Sequence, residues 1–85
     1  MAIMKKNKVG NIVLGNFIKE KRLESQLTTK QVAELISVSE RVYIKYEDGS
    51  LSIFIDHLVL LSKIFKVDLK VLFDIYIDAE PSSKL

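Results

Sequence analysis

The chain has 85 residues, a mass of 9.7 kDa and 48% hydrophobic residues, enough for one small domain and too little for two independent cores. The absence of cysteine removes disulfide scaffolds, thiolate metal sites and cysteine nucleophiles, and fits a reducing compartment. The net charge of +2 is unevenly spread: residues 1–25 carry six basic side chains against Glu20 and Glu24, a balance of +4, while the middle and the end are each at −1.

At the N-terminus, Lys5, Lys6 and Lys8 could imitate the basic start of a signal peptide, but the apolar run that follows, Ile12-Val13-Leu14, stops at Gly15-Asn16. No stretch approaches the roughly 20 apolar residues that cross a bilayer, so the expectation is a cytoplasmic chain without a membrane partner. Residues 1–10 read as a basic arm, 11–79 as one domain and 80–85, after Pro81 is counted in, as a disordered tail.

Helical periodicity runs through most of the domain. A first helix over about Asn11 to Ser25 places Leu14, Phe17, Ile18 and Arg22 on one face. Thr28-Thr29-Lys30-Gln31 fits a capping box, opening a short helix with Val32, Ala33 and Ile36 inward that ends near Ser37. After Val38, Ser39 can cap a third helix over Glu40 to Asp48, with Tyr43 and Tyr46 three apart and Gly49 as its left-handed stop. A fourth helix, capped near Ser52, carries Ile55, Leu58, Leu61, Ser62 and Phe65. Asp68 would cap a fifth with Leu69, Leu72 and Phe73. Residues 74–78 can continue that helix or form a short strand.

Two short helices joined by a tight turn, about 29–48, have the spacing of a helix-turn-helix, whose second helix enters the DNA major groove. The wider string, over about residues 13 to 73, resembles the Cro/cI repressor (Xre-type) helix-turn-helix family. The resemblance is carried by Leu14-Gly15, Ile18, Arg22, Leu27-Thr28, Val32-Ala33, Val38-Ser39, Tyr46-Glu47-Asp48-Gly49, Leu58, Leu61, Phe65-Lys66-Val67 and Leu72-Phe73. It implies an all-α, compact five-helix, lambda-repressor-like DNA-binding domain. It also implies an ion pair between Arg22 and Glu47, and a recognition helix exposing Ser39, Glu40, Arg41, Ile44 and Lys45 to DNA. Thr28, Thr29 and Lys30 would lie near phosphates, with Ser50 as the contact from the following loop.

In this family a glycine is usual where Gln26 and Ser37 stand here, which asks both to adopt a left-handed conformation. The loop after Gly49 often carries basic residues, whereas this chain has Ser50-Leu51-Ser52-Ile53, a weaker phosphate clamp. Arg41 could grip guanine through two hydrogen bonds, Lys45 could reach a base or a phosphate, and Ile44 could meet a thymine methyl. For Glu40, favouring the helix N-terminus outweighs accepting from a cytosine amine.

Nothing competes as an enzyme. His57, the only histidine, has no companions at ligand or triad spacing and reads as a surface residue. Asp74 and Asp78, four apart, would repel one another outside any cleft. No cofactor or metal is called for. The expectation is a regulator, of repressor or controller type, that binds a short palindromic operator in double-stranded DNA as a homodimer. The rivals are a helix-turn-helix used as a protein-interaction module, suggested by the apolar run that includes Leu51, Ile53 and Phe54, and an antitoxin that also represses.

Overall fold

The computed structural model describes residues 8–79, and these form five helices with no strand among them. The helices are α1 (Lys8–Glu24), α2 (Thr29–Leu35), α3 (Glu40–Asp48), α4 (Ile55–Phe65) and α5 (Leu69–Asp78). α1 packs on both α3 and α5, α2 packs on α3, and α4 packs on α5. Leu14, Ile18, Val32, Ala33, Ile36, Tyr43, Tyr46, Leu58, Leu61, Phe65 and Leu72 make a single core from all five helices. Ala33 is 2% exposed where α2 meets α3, so a larger side chain there would force the two helices apart.

Several helix ends follow from local chemistry. The Thr28 hydroxyl accepts from the Gln31 N–H at 3.0 Å while the Gln31 side chain accepts from the Thr28 N–H at 2.8 Å, a complete capping box. Ser39 Oγ accepts from the Val42 N–H at 3.1 Å at the start of α3, and Gly49 ends it with φ +81°. Gln26 (φ +59°), Ser37 (φ +62°) and Lys66 (φ +57°) are left-handed without being glycine, each closing a helix end.

Other ends differ from the sequence reading. α1 starts at Lys8 rather than Asn11, so residues 8–10 belong to the helix and not to an arm, and it stops at Glu24. Lys5 and Lys6, like the tail from residue 80 on, lie outside the described residues. α2 ends at Leu35, two residues before Ser37. Ser52 does not cap α4: its Oγ accepts from Asn11 Nδ2 at 3.0 Å, tying the loop to α1, and Phe54 stands at the cap position with no side-chain bond. Asp68 occupies the cap position of α5 but makes no cap hydrogen bond with its side chain. Residues 74–78 are helical, with Lys70 Nζ donating to Asp74 at 3.0 Å on that face. Ile55 and Phe73 do not join the core as expected; both are exposed, because α4 and α5 turn Leu58, Leu61 and Leu72 inward instead.

Candidate nucleic-acid interface

α3 is seated from beneath by three devices. The first is a close helix crossing: a Cβ on Gly15 would lie 2.5 Å from the carbonyl oxygens of both Tyr46 and Glu47, so only glycine lets α1 lie against the end of α3. Gly49 has the same relation to Ile12, whose Cα would be 2.7 Å from an added Cβ.

The second is a nearly buried ion pair. Arg22 Nε donates to Glu47 Oε2 at 2.7 Å and Nη2 donates to Oε1 at 3.1 Å, a fork-to-fork arrangement. Arg22 Nη1 donates to the Leu27 carbonyl at 3.0 Å, adding the loop before α2 to the same cluster. The two side chains are 10% and 8% exposed, so both charges have left bulk water and depend on one another. The Tyr43 hydroxyl completes the site by donating to Glu47. The carboxylate it hydrogen-bonds holds the Arg22 pKa above its ordinary value, against the opposite pull of burial. Burial first, then the bond to Glu47, pushes the Tyr43 phenol far above its usual range, so the donor stays protonated.

The third device was not legible in the sequence. The Tyr46 hydroxyl and His57 Nδ1 are 2.8 Å apart, and the imidazole lies between the Tyr46 and Phe54 rings with centroids 5.9 and 5.6 Å away. His57 is therefore half-buried and joins α4 to the core side of α3, in place of the surface residue expected from its isolation in the sequence.

So held, α3 turns Glu40, Arg41, Ile44 and Lys45 to solvent, with Ser39 exposed at its head. Ile44 is 44% exposed. No partner for the Arg41 side chain exists among the described residues, which leaves a full guanidinium fork free. Beside them Thr28, Thr29 and Lys30 mark the start of α2. Thr28 spends its oxygen lone pair on the cap, which does not need the hydroxyl proton. Thr29 Oγ1 donates to Glu40 Oε2 at 2.6 Å, a contact across the turn that spacing alone could not reveal.

Ser50 is engaged differently: its N–H and Oγ both donate to the Asp48 carboxylate, at 2.8 and 2.6 Å. These bonds hold the Asp48 carboxyl below the usual range, so a negative charge sits at the loop and opposes a phosphate there. Across from α3, Asn16 and Lys19 of α1 line a groove with Ile12, Thr29, Ile44 and Asp48. Lys19 stands one helical turn before Arg22, and that spacing is the signal that could have placed it beside α3.

The geometry is that of a helix-turn-helix with its second helix presented outward. The helix-turn-helix family profile matches residues 18–72, and the chain belongs to this family, the Cro/cI-like (Xre-type) group of DNA-binding regulators. No curated protein and no solved structure matches the chain significantly. No described helix is long and apolar enough to cross a membrane.

Proposed function

We propose that this protein is a cytoplasmic, sequence-specific transcriptional regulator that binds a short palindromic operator in double-stranded DNA as a homodimer. The observation that carries the reading is the Arg41 fork, without a partner among the described residues, on a helix fixed from behind by Arg22 through Glu47 and Tyr43. Arg41 meets guanine O6 and N7, Lys45 one turn on reaches a base or phosphate, and Ile44 packs on a thymine methyl. Thr28, Lys30, Lys19 and the arm lysines Lys5 and Lys6 supply the positive and polar contacts to phosphate that the near-neutral motif lacks. Two copies related by a twofold axis would set their recognition helices about 34 Å apart, one turn of DNA.

Selection of bound sequences from random duplex DNA tests this. Enrichment of an inverted repeat with half-site centres about 10 base pairs apart is expected. Failure to enrich any sequence refutes the reading. A specific observation favours the second reading, a protein-interaction module: Phe54 is 65% exposed beside Leu51 and Ile55, at 37% and 52%. Ile53 contributes less, because it packs against the core.

A further inference from the structure

The bond from Thr29 to Glu40 asks for an explanation that the helix N-terminus does not provide. A carboxylate in the first turn favours the helix dipole from any of its rotamers. Here one rotamer is selected, because Thr29 Oγ1 donates to Oε2 at 2.6 Å and thereby joins the first residue of α2 to the first residue of α3. Thr29 is free to do so, since the capping box of α2 is built by Thr28 and Gln31. The fixed carboxylate lies in the exposed row that includes Arg41 and Ile44, the last place for an uncompensated negative charge on a surface that meets phosphates.

An ionised carboxylate accepts hydrogen bonds and donates none. In the major groove, guanine shows it two acceptors, N7 and O6, and thymine shows O4 and a methyl group. Adenine offers the N6 amine but sets the N7 acceptor next to it. Cytosine alone presents an amine, N4, with no neighbouring acceptor on its own major-groove edge. We propose that Glu40, positioned by Thr29, selects cytosine at one base pair of each operator half-site, next to the position read by Arg41. Oε2 is held by the threonine hydroxyl, and Oε1 is left to accept from the cytosine amine. Thr29 is a positioning residue in this scheme, acting on the base through Glu40. The inference rests on the DNA-reading function proposed above.

The test is selection from random duplexes with the full chain and three variants, Glu40→Gln, Thr29→Val and Thr29→Ser. For the unaltered protein a cytosine is expected at one position of each half-site, favoured about tenfold over other bases. Glu40→Gln should turn that position to adenine, whose N6 and N7 suit an amide, and leave the remaining positions as they were. Thr29→Val, which keeps the shape and removes the donor, should reduce the preference at that position alone to about twofold, and Thr29→Ser should restore it. An unchanged consensus for Glu40→Gln overturns the assignment. So does a uniform gain in affinity for all sequences, the result of merely removing a charge that repels phosphate. A Thr29→Val profile identical to that of the unaltered protein overturns the positioning role. If the unaltered protein enriches no sequence, the regulator reading falls as well, whereas a clear consensus that ignores Glu40 overturns this inference alone.

Discussion

Replacing Arg22 with alanine removes three hydrogen bonds at once: two to Glu47 and one to the Leu27 carbonyl. Glu47 stays where it is, its side chain 8% exposed, with only the Tyr43 hydroxyl still donating to it. Breaking a buried pair from one side costs about 3 to 5 kcal/mol, because the remaining charge is neither hydrated nor compensated. The surviving Tyr43 bond places Arg22→Ala at the lower end, about 3 kcal/mol, in a domain whose total stability is on the order of 4 to 13 kcal/mol. Urea denaturation followed by circular dichroism reads this directly. With a slope near 1 kcal/mol per molar urea for so small a protein, the midpoint should fall by about 3 M, or the variant should be unfolded at the outset. The double replacement Arg22→Met with Glu47→Leu removes both charges together and should recover most of the loss. A cost below about 0.5 kcal/mol for Arg22→Ala would refute the reasoning, since that is the range of a solvated surface pair.

Arg41→Ala should leave stability unchanged, weaken operator binding by about 1 to 3 kcal/mol and relax preference at one position. A uniform loss across sequences would reassign the residue to phosphate. Gly15→Ala should destabilise by about 1 to 3 kcal/mol despite the better helix propensity of alanine, because its methyl would enter the backbone of α3; thermal melting checks this, and a rise in Tm would contradict it. The raised pKa of Tyr43 means that the folded state keeps a proton that the unfolded chain releases near pH 10. This contribution is fully present below about pH 10 and is lost as pH rises beyond it, at about 1.4 kcal/mol per pH unit. Tyr43→Phe should therefore flatten the alkaline fall in stability measured by urea titration between about pH 9 and 11. Truncation of residues 1–7, which removes Lys5 and Lys6, should flatten the dependence of log affinity on log salt by about two units, while an unchanged slope would show that the arm stays off the phosphates.

What the sequence revealed was chiefly what neighbouring residues decide among themselves. Thr28 with Gln31, Ser39 with Val42, and the glycine stop at residue 49 are contacts within a helical turn, so their spacing suffices to find them. Most of the core follows from helical periodicity, whereas the helix-turn-helix rests on the spacing of its two short helices together with the family resemblance. Errors arose where a distant residue intervened. Ser52 has the chemistry of a cap, yet Asn11, 41 positions away, claims its oxygen. The lysines at positions 5, 6 and 8 give residues 1–10 the composition of a basic arm, yet α1 already includes Lys8, Val9 and Gly10, where Gly10 and Asn11 are buried by contacts that composition does not disclose. Thr29 and Glu40 are each recognisable in the sequence, but their bond crosses a turn in which Ser37 takes the left-handed conformation. His57 differs from its sequence expectation for a related reason: its partners, Tyr46 and Phe54, come from positions that no ligand or triad spacing connects to it.

That histidine gives the protein an internal reporter. It is the only imidazole in 85 residues, and it reaches from α4 to Tyr46 on the side of α3 turned away from Arg41 and Lys45. Its two ring C–H protons give the only imidazole resonances in a proton NMR spectrum, and their shifts depend on the tilted Tyr46 and Phe54 rings about 6 Å away. A rotation of α3 against α4 when DNA binds would move those signals, while a helix that docks as a rigid body would leave them in place. The natural chain thus distinguishes adjustment from rigid docking without a label or a substitution.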